Sequence, residues 1–333
     1  MRALRVHDYG EPSEALVLDL DVPLPEPEPG HLQVEVGAAA LGLPDVLLCR
    51  GKYQLRPDLP ISPGMEAAGI VSAVGEGVST DLIGRRVVGV PALPSGALAE
   101  SCIFAAHNAY PIPDDVDNIT AVSSHISGTT AHLGLHRRAQ LQPGETLLVH
   151  AGAGGTGSAA IQVGCIAGAR VIATAGSAER AKLCEDLGAD VGIDSSSNDI
   201  SQAVLTATDG RGADVIFDPV GGTVFDASRK CIASEGRLLV VGFAGGEIQQ
   251  IPANQVLLRN YSVLGLYVGA YAHDEAGRAL MQGVHGELMA MIAKGSFRPL
   301  VSGVISLDEV PSALEALRDR SVTGRVVVDL HQP

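Results

Sequence analysis

The stretch Thr146 to Ser177, TLLVHAGAGGTGSAAIQVGCIAGARVIATAGS, restricts the fold more than any other part of the chain. A short apolar run, Thr146 to His150, leads at once into Gly152-x-Gly154-x-x-Gly157. Small residues from Ser158 to Gly168 follow, and then a second β-rich run, Val171 to Thr174. Strand, glycine-rich turn, helix and strand in that order are the context that a dinucleotide fingerprint requires. The glycines let the backbone turn tightly and come close to a pyrophosphate, whose charge meets the free N–H groups of a helix starting beside Gly155. Gly152, Ala153, Gly154, Gly155, Thr156 and Gly157 are therefore the expected phosphate cradle.

The second strand decides between cofactors. NAD-binding units place an Asp or Glu near its end, about 20 residues past the glycines, to hold the ribose hydroxyls. Here the strand runs out in Ala175-Gly176-Ser177, with no acid, and Arg180 follows in the first turn of the next helix. A hydroxyl and a guanidinium suit a ribose phosphate through charge-assisted hydrogen bonds. The expectation is NADPH rather than NADH, with Glu179 as a competitor for the Arg180 charge.

A length of 333 residues suits two domains, and with 46% apolar against 18% charged residues the chain is expected to be ordered throughout. Lys and Arg total 23 against 38 Asp and Glu, a formal charge of −15, which speaks against nucleic acid and anionic membrane as partners. Cys49, Cys102, Cys165, Cys184 and Cys231 are dispersed, without a CxxC pair, as reduced thiols are. No leader pattern and no long uncharged apolar run stand in the sequence, so a cytoplasmic protein is expected.

From residue 1 to about 120 the texture is β-rich runs broken by Pro and Gly: Ala3 to Val6, Ala15 to Leu20, Leu32 to Val36, Gly69 to Val74 and Arg86 to Val90. From about Ala121 helical character appears. Beyond Ser177, βα units follow: helix Ala178 to Leu187, strand Asp190 to Ile193, helix Ile200 to Thr208, strand Val215 to Asp218, helix Thr223 to Ala233, strand Arg237 to Gly242 and a sixth strand in Tyr261 to Val268. The fold class this predicts is α/β, a Rossmann doubly wound parallel sheet joined to a mostly β domain. The tail, with helices Glu275 to Lys294 and Asp308 to Arg318 and extended runs Leu300 to Ile305 and Arg325 to Leu330, is too short for a domain and is expected to fold back onto the first one.

Several stretches together resemble the medium-chain dehydrogenase/reductase superfamily, and within it the zinc-free NADPH:quinone oxidoreductase (zeta-crystallin-like) branch. They are GLPDVLLCRGKYQ (Gly42 to Gln54), LPISPGMEAAGIVSAVGEGV (Leu59 to Val78), AGAGGTG (Ala151 to Gly157), LGADVGID (Leu187 to Asp194), FDPVGG (Phe217 to Gly222) and GRLLVVGFAGG (Gly236 to Gly246). The resemblance spans nearly the whole chain. It implies a GroES-like catalytic domain over 1–121 and 264–333, a Rossmann domain over 122–263, and substrate between them. It also implies a homodimer formed by pairing last Rossmann strands, with Ser262 to Tyr267 at the interface.

Zinc-dependent members of the superfamily hold a catalytic ion with a Cys in the early turn, the His of a GHE motif and a third ligand near the domain junction. This chain has Gly42 and Met65 at the first two places, leaving only His125, so no metal site is expected. His132 and His136 have helical spacing but no acidic companion, and His150 ends a buried strand as a core residue does. Loss of the metal favours reduction of a quinone or an activated alkene over alcohol oxidation, which needs its alkoxide stabilised. The branch usually reads NFxD in the early turn, with the Asn facing substrate; Asp45 and Tyr53 match their places, whereas Gly42 and Leu43 do not match the Asn-Phe pair.

The catalytic candidates are thus Tyr53, Asp45 and Thr129, each with a structural alternative. Tyr53 either places substrate or packs; Asp45 either takes part in chemistry or caps the helix after it; Thr129 either lies near the nicotinamide, as its match does, or packs in a helix. Asp218, Gly221 and Phe243 end the fourth and fifth strands at the cofactor crevice. The leading expectation is a zinc-independent NADPH-dependent reductase of quinones or similar conjugated carbonyls, of the NADPH:quinone oxidoreductase type. The alternatives are an enoyl thioester or 2-alkenal reductase, and a binding protein that keeps NADPH without catalysis.

Overall fold

The computed structural model describes residues 1–332. The chain divides into two units, one of Met1–Ile126, His285–Ala293 and the chain from Val301 onward, the other of Ser127–Val284 with Lys294–Leu300.

The second unit is built on six parallel strands. Across the sheet they run Val191–Asp194, Arg170–Ala175, Thr146–Val149, Ala213–Asp218, Ile232–Val240 and Ser262–Gly265. The chain winds outward in one direction from Thr146–Val149 and then in the other from Ala213–Asp218, so these two neighbours flank the switch point outside whose carboxyl ends a crevice opens. Leu147, Leu148 and Val149 are fully buried, as are Val215, Ile216 and Phe217. Strands covered on both faces must be apolar at every position, which is why the sequence shows continuous runs there rather than alternation. The helix Gly155–Ile166 lies close on this sheet because Gly164 carries no side chain where Leu147 packs.

Three details differ from the sequence reading. The fifth strand begins at Ile232 rather than Arg237, because Ile232 pairs with Ala213 across a register shift; the preceding helix, Gly222–Cys231, accordingly stops short of Ala233. The sixth strand is only Ser262–Gly265, since Gly265 lies opposite Val240, where its partner strand ends. A short helix, Ala253–Arg259, had no sequence signal; it starts after Pro252 and ends at Asn260, which takes the left-handed conformation (φ 51) common at helix C-termini.

In the first unit one sheet runs Val301–Ile305, Arg325–Asp329, His31–Ala40, Ala67–Val74, Arg86–Gly89, Ala109–Pro111, and Ser101–Ala105 pairs with His31–Ala40 as well. Ala3–Val6 and Leu16–Asp19 form a separate antiparallel pair. The tail strand Arg325–Asp329 adds to the long N-terminal strand, Val327 opposite Ala40. Leu32, Val34, Leu48, Ile61, Leu98 and Phe104 form the middle of this unit's core.

Candidate active site

The glycine turn of the second unit uses its glycines for two purposes. A Cβ on Gly152 would come within 2.7 Å of Cys184 Sγ and 3.0 Å of Ala173 Cβ, and one on Gly157 would run into the Ala151 carbonyl. Those two positions are packed shut. A Cβ on Gly154 would meet only the Ala151 carbonyl, at 3.3 Å, so this position opens outward. Gly154 is the N-cap of the helix Gly155–Ile166, and the N–H groups of Gly155, Thr156 and Gly157 have no partner along the helix. The bend is fixed by Gly152 N–H donating to Thr174 O (2.8 Å) and Gly154 N–H to Ala151 O (2.9 Å), with Ala151 at φ 51. Ala153 is buried beneath. An open glycine at a helix N-terminus, beside a switch point, fits a pyrophosphate.

Beneath the turn, His150 is fully buried and bonded on both ring nitrogens. The Ser228 hydroxyl donates its one hydrogen to Val224 O (2.9 Å), so Ser228 Oγ must accept from His150 Nε2–H (2.8 Å). His150 Nδ1 then accepts from the Thr174 hydroxyl (2.9 Å), which fixes the neutral tautomer. Burial pushes this imidazole down to about 4, partly countered by the Asp218 charge. His150 therefore ties the ends of two central strands to the helix Gly222–Cys231.

At the end of the fourth strand Asp218 is buried, and its Oδ1 accepts from Val220 N–H (2.8 Å) and Gly221 N–H (3.0 Å). Its Oδ2 is buried with no partner. Gly221 and Gly222 stand at φ 76 and 54, in the left-handed region that favours glycine. The loops after the fourth and fifth strands are joined by Val241 N–H to Asp218 O, Ala244 N–H to Pro219 O and Gly245 N–H to Val220 O. That pairing brings the half-exposed Phe243 ring beside Gly221.

At the end of the second strand Ser177 caps the helix Ala178–Asp186, its Oγ accepting from Arg180 N–H (3.2 Å). The hydroxyl hydrogen remains available to a ligand, and Arg180 is half-buried. Ser195 closes the neighbouring strand end by donating from N and Oγ to Ala175 O. Asp194, the nearest acid in the sequence, is used within its own loop: it accepts from Ser196 N–H and both the Ser196 and Ser197 hydroxyls, which hold it below the usual carboxylate range. Thr129, on the helix Asn118–His132, is buried with its hydroxyl unpartnered.

The first unit holds the other candidates. Asp45 is not the cap residue itself; Gly42 is the N-cap of the helix Leu43–Cys49, and Asp45, in its first turn, reaches back to accept from Gly42 N–H (2.9 Å). Its other oxygen accepts from Gly64 N–H (3.0 Å) and Met65 N–H (3.2 Å), so the carboxylate clamps the early turn to the PGME turn. Burial outweighs these bonds and raises Asp45 to about 6. All its hydrogen-bond donors are backbone N–H groups, with the charges of Glu66 and Arg325 nearby. Tyr53 is half-buried and packs on the core of this unit.

Sequence reasoning missed the charges beside that clamp. Glu66 is buried, accepts from Ile126 N–H (3.1 Å) and pairs with Arg325, whose side chain is 11% exposed. Burial raises Glu66, with Arg325 and the Ile126 N–H opposing it. Arg325 opens an apolar strand, a position that reads as a solvated end, and only the tertiary fold turns it inward. His125 is buried against Tyr110 and His285 (ring centroids 5.0 and 5.9 Å away), and burial lowers it to about 3. Among the described residues no group of three His, Cys, Asp or Glu side chains is arranged to hold a metal ion. With no side chain at Gly42 and Met65 packed against the core, the donors do not fit a catalytic zinc.

Residues 28–114 match the model of the alcohol dehydrogenase GroES-like domain, and residues 155–283 that of the zinc-binding dehydrogenase. A quinone oxidoreductase-like protein 2 homolog of Nematostella vectensis is 36% identical over 99% of this chain and 89% of its own length. The chain belongs to the quinone oxidoreductase branch of the medium-chain dehydrogenase/reductase superfamily. The quinone oxidoreductase-like protein 2 of Rattus norvegicus is 39% identical, over 90% of this chain and 85% of its own. Among solved structures, Escherichia coli quinone oxidoreductase complexed with NADPH superposes with a TM-score of 0.91 at 28% identity, covering 99% of this chain and 100% of that one. A mycobacterial protein complexed with NADPH gives 0.90 at 32% identity, covering 98% of this chain and 99% of that one.

Proposed function

We propose that the protein is a zinc-independent, NADPH-dependent reductase that delivers hydride to a quinone or a similarly conjugated carbonyl. The observation that carries this reading is the glycine turn, open at Gly154, with a strand end beyond it that offers Ser177 and Arg180 in place of an acid. A quinone oxidoreductase-like relative and two neighbours solved with NADPH, one of them named a quinone oxidoreductase, support it. Gly152 to Gly157 would hold the pyrophosphate, Ser177 and Arg180 the ribose phosphate, and Asp218, Gly221 and Phe243 would line the crevice toward the reactive ring. Thr129 offers an unpartnered hydroxyl for the nicotinamide side, and Tyr53 a surface for the acceptor.

The bound cofactor supplies a hydride, two electrons with one proton; a second proton from water completes the hydroquinone and NADP+ leaves. The protein's share is to orient the reactants and to stabilise negative charge as it forms on the carbonyl oxygen, since no metal Lewis acid takes part. The decisive assay is NADPH oxidation by chelator-treated protein, with a simple benzoquinone and a short enoyl thioester side by side and NADH as control. Turnover of the quinone supports the reading. Turnover of the thioester alone reassigns the protein to the enoyl reductases, and NADPH binding without turnover of either leaves a binding protein. Arg180→Ala should weaken NADPH binding about 10- to 100-fold, the worth of one or two hydrogen bonds to a charged group, and leave NADH nearly unaffected.

A further inference from the structure

The outer face of the first unit's sheet carries a cavity that the proposed reaction does not use. It lies beside the middle of the strand His31–Ala40, where two strands share one edge end to end. Ser101–Ala105 begins there, with Val36 N–H donating to Glu100 O, and Arg325–Asp329 runs out there, with Leu330 N–H donating to Gly37 O. The space between them measures about 330 Å³, and Gln33, Glu35, Ser72, Ser101, Leu24 and Leu330 are among its walls. Leu32, Val34, Cys102 and Phe104 belong to the core, so the alternation along each strand turns Gln33, Glu35 and Ser101 to the other face.

Two acceptors in this cavity are unused. Ser101 is 4% exposed, yet its Oγ has no partner, and buried hydroxyls are satisfied as a rule. Glu35, directly opposite Ser101 in the antiparallel pair, is exposed and makes no side-chain hydrogen bond or ion pair among the described residues. Opposed side chains of such a pair lie about 5 Å apart at Cβ, close enough for one ligand atom to reach both. Gln33 is fixed beside them: its amide donates to Pro25 O (2.6 Å), and its Oε1 accepts from the Ser72 hydroxyl (2.7 Å) with one lone pair left over. The cations close by are engaged, Arg2 Nε–H with Glu100 Oε1 (2.8 Å) and the Met1 amino group with Val22 O (2.8 Å), which leaves Glu35 without a counter-charge.

We propose that this cavity binds a primary alkylammonium group, its N–H donors on Glu35, Ser101 Oγ and Gln33 Oε1 and its alkyl stem along Leu24 and Leu330. An ammonium head brings three donors on one atom to a site rich in free acceptors. Glu35 disfavours an anion, and the described residues offer no set of three metal ligands. A chain of formal charge −15 also draws cations toward its surface. A short free amine and the lysine side chain of another protein share this head and stem. The inference does not rest on the reductase reading, since its readout is binding alone.

The test titrates the full chain with n-butylammonium at pH 8, which keeps imidazole groups neutral, and follows binding by saturation-transfer NMR. n-Butanol and butyrate serve as controls of equal stem. Saturation below about 10 mM, weakened about tenfold or more by Glu35→Gln and by Ser101→Ala but not by Glu76→Gln, an exposed carboxylate elsewhere in this unit, supports the site. Nα-acetyl-lysine methylamide binding more tightly than the amine assigns the head to a protein's lysine, and the reverse to a free amine. Butanol or butyrate binding as well as the amine, no saturation, or equal weakening by Glu76→Gln overturns the proposal. So does a folded Ser101→Ala within about twofold of wild type, which would leave only a surface attraction to Glu35.

Discussion

At the residue scale the most constrained group is His150. Removing its ring by His150→Ala strands the Thr174 hydroxyl and the Ser228 oxygen in a dry interior, and should cost about 2 to 4 kcal/mol, seen as a lower denaturation midpoint. Its titration sets a pH dependence with a definite sign. The folded value, about 4, lies below the unfolded 6.5, so between these limits the unfolded chain binds more protons and stability falls on acidification. His125, depressed to about 3, acts in the same direction, whereas Asp45, raised to about 6 from 3.8, gains protons on folding and opposes them below pH 6. Thermal melts across that range should therefore show a net loss with falling pH, and His150→Gln should flatten it; a flat wild-type profile would contradict the assignment. His150 was legible as a core histidine because it ends an apolar strand. Its partners Thr174 and Ser228 were not, being 24 and 78 residues away.

At the element scale the glycine turn separates binding from folding. Gly157→Ala places a methyl 2.1 Å from the Ala151 carbonyl and should lower the melting temperature; Gly154→Ala meets that carbonyl only at 3.3 Å and should lower it much less while losing most NADPH affinity. Equal melting shifts in both would refute the division of roles. The strands and helices around this turn were readable because a sheet buried on both faces leaves unbroken apolar runs and the intervening helices begin at Ser177, Asp199 and Gly154, all residues suited to caps. Ser101–Ala105 and Ala109–Pro111 were not read as strands. Their runs are short, and they are held by pairing with His31–Ala40 and Arg86–Gly89, far off in the sequence.

At the scale of the whole molecule the second unit leaves Ser262–Gly265 as an unpaired sheet edge, next to Leu257 and Leu258 at 75% and 76% exposure. Open edges and exposed apolar side chains invite a partner, and a second copy pairing edge to edge meets both needs. The expected homodimer should dissociate when Leu264→Lys puts a charge on that edge, measured by sedimentation; an unchanged mass would place the interface elsewhere, and a monomeric wild type would remove it. No helix among the described residues is long and apolar enough to cross a membrane. By itself the sequence determined the Rossmann unit, its phosphate turn and the missing acid at the second strand, because backbone conformation and burial on both faces impose local patterns on the residues. The buried Glu66–Arg325 pair and the Asp45 clamp were decided only by tertiary structure, because each joins segments distant along the chain and a charged side chain carries no local mark of being buried.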